Sequence, residues 1–98
     1  MPYTSFQQKV FSVVSQIPFG QTRSYQWVAK KIGHPRAVRA VGSALNKNQN
    51  LFVVPCHRVV RADGSLGNYV LGKSIKQMLL DLEKELWYNS KKVSKRRQ

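Results

Sequence analysis

Hydrophobic and polar residues recur along much of the chain at the spacing of amphipathic helices. Thr4 followed by Gln7 is a capping-box pattern, and it opens a helix predicted over about residues 5–16. The inward face of this helix is predicted from four apolar side chains at helical spacing: Phe6, Val10, Val13 and Ile17. A proline and a glycine within residues 18–20 end the helix.

Two shorter helices are predicted next, joined by a tight turn. Apolar residues at helical spacing mark the first of them: Tyr25, Val28, Ala29 and Ile32. The second is predicted over residues 36–46, with an inward face of Val38, Val41 and Leu45. Gly33 is placed to end the first helix, and Pro35 to start the second. Two short helices joined by a glycine-containing turn are typical of a helix-turn-helix.

The second of these helices carries unusually small side chains: Ala37, Ala40, Gly42, Ser43 and Ala44. A glycine in a helix interior costs about 1 kcal/mol relative to alanine. A helix that accepts this cost is expected to bring its backbone close to something else. Nucleic acid and a closely packed neighbouring helix both meet that expectation.

The second half of the chain predicts a short β element and a last helix. The apolar run 51–54 is predicted to be buried, and a strand or hairpin is expected within residues 51–62, before the turn signal of Asp63 and Gly64. Ser74 with Gln77 repeats the capping pattern. The inward stripe of the last helix would then be Ile75, Met78, Leu79, Leu82 and Leu86.

These elements predict one small mixed domain, mostly α-helical and similar to a winged helix, with a helix-turn-helix and a short strand or hairpin. We expect the domain to cover residues 1–90. Residues 91–98 are a basic tail, which is expected to be too charged to fold alone.

Charge narrows the classes of partner. The net charge is +13, and residues 1–62 hold nine basic residues and no acidic one. Such a chain attracts polyanions, so nucleic acid is the leading predicted partner and an anionic membrane surface the second. A basic surface that is merely solvated is the alternative. No apolar run reaches the roughly 18 residues of a membrane span, and no signal peptide is evident. We therefore expect an intracellular protein, in the cytoplasm of a prokaryote or the nucleus of a eukaryote.

Candidate chemistry centres on Cys56, which lies between Pro55 and His57. A buried cysteine is most often a small core hydrophobe. A thiol reacts as the thiolate, however, and a nearby base or cation lowers its pKa from about 8.5. His57 is the candidate base, and Arg58 a candidate source of positive potential. Because neighbours on a regular strand point to opposite faces, contact between Cys56 and His57 requires a turn or a bridging water.

A Cys–His pair usually needs a third group to orient the imidazole. Glu83, on the predicted last helix, is the candidate among four acidic residues. The alternative is that Glu83 lies on the helix surface and forms a salt bridge with Lys76 or with a residue near Lys84. No metal is expected, because one cysteine and two histidines lack the spacing of metal-ligand pairs.

Residues 55–60, Pro-Cys-His-Arg-Val-Val, resemble the active-site motif of the O6-alkylguanine-DNA alkyltransferases, also called methylated-DNA–protein-cysteine methyltransferases. Four further segments resemble the same family in order and at matching separations: residues 4–10, 20–26, 39–42 and 67–69. The resemblance covers roughly residues 4–87. It is to the C-terminal domain of that family, which binds DNA and carries the active site.

The resemblance implies an enzyme that acts once. An alkyl group, such as methyl, would pass irreversibly from O6-alkylguanine in double-stranded DNA to Cys56, after the base is flipped out of the duplex. Cys56 matches the family's acceptor, and His57 and Glu83 match the pair that deprotonates it through a water. Asn48 matches the asparagine that braces the site. Tyr25 matches the tyrosine that helps rotate the nucleotide and hydrogen-bonds the guanine. The protein is expected to be a monomer without a cofactor.

The resemblance also implies binding in the minor groove through the second helix of the helix-turn-helix. Arg39 matches the arginine that enters the base stack. The expected DNA-facing residues are Tyr25, Ala37, Arg39, Ala40, Gly42 and Ser43. The expected base pocket consists of Val54, Tyr69, Val70, Leu71 and Gly72. Val70 and Leu71 depart from the family's usual residues, so the range of accepted alkyl groups stays open.

Two other functions are compatible with the sequence. A non-catalytic alkyltransferase-like protein would bind and flip the alkylated base and signal to another repair pathway. Such proteins typically have Trp or Ala where this chain has Cys56, so the cysteine favours transfer. A basic helix-turn-helix regulator with an inert cysteine would instead bind undamaged DNA sequence-specifically.

Overall fold

The fold is mostly helical, as predicted. A computed structural model describes residues 3–51 and 53–96, with side chains as far as residue 90. The described chain forms four α-helices: α1 (Ser5–Val14), α2 (Tyr25–Lys31), α3 (Val38–Asn46) and α4 (Lys73–Arg96). It also forms two strands of two residues each, β1 (Arg23–Ser24) and β2 (Val59–Val60), and a 3-10 turn, Cys56–Arg58, directly before β2.

The predicted capping box of α1 is confirmed. The backbone N–H of Gln7 donates to the Thr4 hydroxyl at 3.1 Å, and the Thr4 N–H donates to the Gln7 side chain at 2.9 Å. Val10 and Ile17 are buried as predicted, and Val14 joins them. The helix ends two residues earlier than expected, and this inner face forms one wall of the core.

The predicted helix-turn-helix is also confirmed. Gly33 has φ +82°, and the turn is closed by a hydrogen bond from the N–H of His34 to the carbonyl of Ala29 at 2.9 Å. Helices commonly end with a glycine in the left-handed conformation, because glycine lacks the Cβ that disfavours this conformation. α3 begins at Val38, two residues later than expected, and its inner side chains pack against α1 and α2. This packing determines the direction in which the outer face of α3 points.

The predicted short strand is confirmed, because β2 lies within the expected segment. The alternative of a hairpin is wrong. β2 pairs in parallel with β1, Arg23 opposite Val59 and Ser24 opposite Val60. The apolar run before it is a turn in which Val54 is buried and Val53 is exposed; Phe52 lies outside the described residues.

Asparagine side chains explain why that run is a turn. The N–H of Val53 donates to the Asn50 side chain at 3.3 Å, and the N–H of Asn50 donates to the Asn48 side chain at 2.9 Å. Asparagine competes with sheet formation in this way, by bonding nearby backbone groups. The expected burial of the whole run was therefore wrong.

The predicted inward stripe of α4 was wrong. Four of its five residues are exposed: Ile75, Met78, Leu82 and Leu86. Only Leu79 packs against the core. The face that turns inward carries Lys76, with no exposed surface, and Glu83, with 8%. Both polar side chains are satisfied by partners in the candidate site, and this pairing allows a charged face to be buried.

The ends of α4 also differ from the prediction. The helix begins at Lys73, after Gly72 with φ +97°, so Ser74 lies inside the helix and does not precede it. At the other end the backbone stays helical to Arg96, continuous with α4, although the region after residue 90 was expected not to fold alone. The division between a domain and a tail stays a prediction. No helix in the described part of the chain is long and apolar enough to cross a membrane.

Candidate functional site

Cys56 opens the 3-10 turn and is 4% exposed. The turn follows Pro55 and is closed by the N–H of Arg58, which donates to the Pro55 carbonyl at 2.9 Å. The parallel pairing of β2 with β1 holds the chain immediately after the turn. The chain therefore turns directly after Pro55, and the turn places the thiol against the body of the domain.

Asn48, just past the end of α3, holds the cysteine segment in place. Its Nδ2 donates to the Val54 carbonyl at 2.9 Å and lies 3.7 Å from the Cys56 Sγ. Burial raises the pKa of the Cys56 thiol, and the hydrogen bond from Asn48 opposes that rise without cancelling it. The cysteine therefore rests as a thiol, and a base is needed to make the thiolate.

His57 and Glu83 form a buried pair. The His57 Nε2 and the Glu83 Oε2 are 2.6 Å apart, and both residues are less than one-tenth exposed. The sequence-based alternative for Glu83, a surface salt bridge with a lysine, is wrong, because its ion pairs are with His57 and Arg58. The structure thus places Glu83, the candidate orienting acid, within hydrogen-bonding distance of His57, the candidate base.

Arg58 clamps the same carboxylate. Its Nε donates to the Glu83 Oε1 at 2.9 Å and its Nη2 to Oε2 at 3.0 Å, while Nη1 donates to the Ile17 carbonyl at 3.0 Å. Burial raises the pKa of Glu83, but the hydrogen bonds from Arg58 and His57 outweigh it and hold the pKa below its usual value. Sequence reasoning assigned Arg58 to the thiol and missed this clamp, which the planar fork of arginine favours.

An ionised Glu83 fixes the tautomer of His57. A carboxylate only accepts hydrogen bonds, so the His57 Nε2 must carry the hydrogen between them. Nδ1 is then the ring atom that accepts a proton. In the part of the chain that the structure describes, no hydrogen bond joins Cys56 to His57. A proton passing from the thiol to this ring therefore needs a bridging group.

Tyr25, at the start of α2, contacts the loop that contains Gly67 and Asn68. Its hydroxyl donates to the Asn68 carbonyl at 3.1 Å and accepts from the Lys76 Nζ at 3.2 Å. A Cβ on Gly67 would lie 2.8 Å from the Tyr25 ring and hydroxyl. Glycine is therefore required beside Tyr25. Asn68 and Lys76 are site residues that sequence reasoning missed.

Part of the expected DNA-facing surface on α3 is exposed. Arg39, Ala40 and Ser43 are exposed, and Arg39 lines a cleft of about 520 Å³. The cleft is also lined by Tyr25, Val38, Gly42, Ser43, Asn46, Arg61, Gly67 and Asn68. Among the small residues predicted for this helix, Ala44 is buried, and Ala37, which directly precedes α3, is half-buried. Close helix packing therefore accounts for Ala44 but not for the exposed Ala40 and Ser43.

The expected base-pocket residues differ in exposure, and three of them lie in two separate surface depressions. Val54 and Tyr69 are buried, whereas Val70, Leu71 and Gly72 are exposed. Val70 lies in a depression with Asn48, while Tyr69 and Leu71 share a depression with His57. The loop thus borders the cysteine segment through Tyr69 and Leu71, and the segment around Asn48 through Val70.

Comparison with known proteins identifies the family. The family profile described as "6-O-methylguanine DNA methyltransferase, DNA binding domain" matches residues 5–85. The chain is 50% identical over 80 residues to a methylated-DNA–protein-cysteine methyltransferase of Methanosarcina acetivorans, a match of 82% of this chain and 51% of that protein. The chain therefore spans about half the length of this curated relative.

Two solved structures are similar in both fold and sequence. The first is Mycobacterium tuberculosis OGT in complex with DNA, with TM-score 0.82 and 48% identity, covering 85% of this chain and 52% of that one. The second is S. pombe Atl1 in complex with damaged DNA containing O6-carboxymethylguanine, with TM-score 0.74 and 29% identity, covering 85% of this chain and 79% of that one. The chain belongs to the family of the 6-O-methylguanine DNA methyltransferase DNA-binding domain.

Proposed function

We propose that the chain is the C-terminal, active-site domain of a methylated-DNA–protein-cysteine methyltransferase, and that it takes an alkyl group from O6-alkylguanine in double-stranded DNA onto Cys56. The observation that carries the proposal is the buried thiol, braced by Asn48 at 3.7 Å and followed in the same turn by a histidine held 2.6 Å from Glu83. An inert core cysteine would not need such a charged array beside it.

The proposed reaction begins with proton removal. The Cys56 thiol gives its proton through a water to the Nδ1 of His57, and Glu83 stabilises the resulting imidazolium. The sulfur then attacks the alkyl carbon, so that a carbon–sulfur bond forms while the carbon–O6 bond breaks. The electron pair of the broken bond stays on guanine, which takes a proton from the Tyr25 hydroxyl. The proton on His57 then returns to Tyr25 through solvent.

The products are guanine in the DNA and an alkylated cysteine. Overall, the thiol hydrogen has replaced the alkyl group on guanine, and no cofactor enters the balance. Because a thioether is not cleaved by water, each molecule reacts once.

DNA would bind along α3 in the minor groove. The reacting atom lies inside a duplex, so the base must be flipped out, and Arg39 would fill the space it leaves. The exposed Ala40 and Ser43 let the helix backbone approach the groove. The net charge of +13 supplies the attraction to phosphates. We also propose that the protein is a monomer and that it acts inside a prokaryotic cell or a eukaryotic nucleus.

The second candidate is a lesion sensor that binds the damaged base and transfers nothing. It is favoured by the structural match to Atl1 in complex with damaged DNA, which has a TM-score of 0.74 and 29% sequence identity. The presence of Cys56 argues for transfer, because a sensor needs no nucleophile. The two functions differ in what happens to the DNA.

The distinguishing experiment follows the DNA. A duplex with one O6-methylguanine is incubated with increasing protein, and restored guanine is measured by nucleoside analysis. Transfer predicts one guanine restored per protein molecule and none with Cys56→Ser. A sensor predicts preferential binding to the lesion without any restored guanine. Arg39→Ala should weaken lesion binding more than Lys9→Ala, which removes an equal charge from the exposed face of α1.

A further inference from the structure

Arg61 directly follows β2 and lines the cleft beside α3. Its side chain is exposed, and the ion pairs and side-chain hydrogen bonds found among the described side chains do not include it. Sequence reasoning gave this residue no role beyond its charge. An arginine that faces a cleft without a resident anion can bind an anionic ligand there.

A closed turn holds the backbone at Arg61. The Arg61 N–H donates to the Ser65 carbonyl, and the Gly64 N–H donates to the Arg61 carbonyl, each at 2.9 Å. Within the same turn, the Asp63 carboxylate accepts from the N–H and the hydroxyl of Ser65 at 2.9 and 2.7 Å. The acidic residue nearest in sequence is thus bonded inside the turn, and the guanidinium projects from a fixed position.

The pairing of the two strands places Arg61 beside Tyr25. Ser24 lies opposite Val60, so the next residues, Tyr25 and Arg61, leave the sheet from adjacent positions. Neighbouring strands lie about 4.8 Å apart. Burial raises the pKa of the Tyr25 hydroxyl, and the charge of Arg61 opposes that rise. The two side chains are therefore close enough to interact.

The Tyr25 ring lies between the two walls of the cleft. A Cβ on Gly42 of α3 would lie 3.9 Å from the ring's Cε1, and a Cβ on Gly67 would lie 2.8 Å from its Cε2. The wall on the α3 side carries Arg39, and the wall on the Gly67 side carries Arg61. A ligand that reaches Tyr25 in this cleft therefore passes between two arginines.

We propose that Arg61 binds a phosphodiester of the DNA strand that carries the lesion, next to the nucleotide that Tyr25 rotates, so that Arg39 and Arg61 hold this strand from the two walls of the cleft. The inference rests on the proposed function, because the damaged duplex is the ligand of the cleft. The planar guanidinium binds two phosphate oxygens at once. A phosphate contact fixes position and reads no base, which separates Arg61 from Arg39.

The first test is the salt dependence of binding to a duplex with one O6-methylguanine. Every protein carries Cys56→Ser, so that the base is not repaired during the measurement. Each neutralised phosphate contributes about 0.9 to the slope of log affinity against log salt. Arg61→Gln should therefore lower the slope by about 0.9 and weaken binding about tenfold, whereas Arg61→Lys should keep the slope. Lys84→Gln, an equal charge change on the exposed face of α4, should change neither quantity. An equal slope with and without Arg61 would overturn the proposal.

The preference for the lesion distinguishes a phosphate contact from base reading. Arg61→Gln should weaken binding to lesion and undamaged duplexes by the same factor, because phosphates are common to both. Arg39→Ala should instead reduce the ratio of the two affinities. A reduced ratio with an unchanged salt slope in Arg61→Gln would mean that Arg61 reads the base, and the proposal would be wrong.

A chemical substitution in the DNA locates the contact. In a set of lesion duplexes, the phosphates next to the O6-methylguanine are replaced one at a time by a neutral methylphosphonate. We expect one position at which the replacement weakens binding when Arg61 is present and has no effect with Arg61→Gln. Equal losses for both proteins at every position would refute the assignment. These measurements need no transfer, so they are independent of the proposed reaction, which fails if the wild type binds the lesion and restores no guanine.

Discussion

The clamp between Arg58 and Glu83 makes a quantitative prediction about stability. Arg58→Met removes two hydrogen bonds to the buried carboxylate and a third to the Ile17 carbonyl. Removing one partner of a buried ion pair costs about 3–5 kcal/mol, since the remaining charge is left without compensation. The Arg58 side chain is 15% exposed, and His57 still contacts the carboxylate. We therefore expect the lower end, about 3 kcal/mol.

The assay is urea unfolding followed by tryptophan fluorescence, with thermal unfolding as a second measure. For a domain of this size, about 3 kcal/mol corresponds to a fall in Tm of roughly 12–24 °C. Lys84→Met on the exposed face of α4 is the matched control and should change stability by less than about 0.5 kcal/mol. A loss below about 1 kcal/mol for Arg58→Met would refute the reasoning.

A double-mutant cycle tests the assignment to Glu83 itself. In a Glu83→Gln background the carboxylate charge is already gone, so Arg58→Met should cost at least about 1.5 kcal/mol less than in the wild type. Equal costs in the two backgrounds would mean that Arg58 stabilises the fold through Ile17 or its methylenes and that the clamp contributes nothing.

Three further predictions follow from the site. Asn48→Ala should raise the Cys56 thiol pKa, because it removes the hydrogen bond that lowers it, and should slow single-turnover transfer at neutral pH; an unchanged rate would contradict the role of the brace. Gly67→Ala should destabilise the protein more than Gly64→Ala in urea unfolding. Both glycines have positive φ, which costs a non-glycine residue about 1–2 kcal/mol. Of the two, only Gly67 lies where an added Cβ would meet another side chain. Because the folded pKa of Glu83 lies below the ordinary 4.5, its ionisation stabilises the protein above that value, and this contribution should be lost as the pH falls through the folded pKa. Glu83→Gln should flatten that acid limb in unfolding measured against pH.

The helices that sequence reasoning placed correctly are those whose signals are local. The capping box of Thr4 and the left-handed turn at Gly33 depend on residues within one or two helical turns, and both form as predicted. The pairing of β1 with β2 depends on segments far apart in the chain. Two residues in each strand carry no periodic pattern, so the sequence offered no means of finding the partner.

The error on α4 has a chemical cause. Hydrophobic periodicity favours the stripe through Met78 and Leu82, whereas the structure buries the face through Lys76 and Glu83. Those two residues are seven apart and lie on one side of the helix. Their burial depends on partners from other elements, which no pattern within α4 encodes. The exposed apolar stripe is the consequence.

The candidate site was predicted unevenly for the same reason. Cys56, His57, Asn48 and Glu83 came from the motif and its resemblance, and the structure brings them into two linked contacts. The clamp by Arg58 and the groups that hold the Tyr25 hydroxyl were missed. Their positions depend on how α4 packs against the 3-10 turn.

The most direct test of alkyl transfer is the mass of the intact protein after mixing with a duplex that contains one O6-methylguanine. The account predicts the gain expected when one methyl group replaces one hydrogen, mapped by peptide analysis to Cys56 and absent in Cys56→Ser. An unchanged mass in protein that still prefers the lesion over undamaged DNA would contradict transfer and leave lesion recognition as the function.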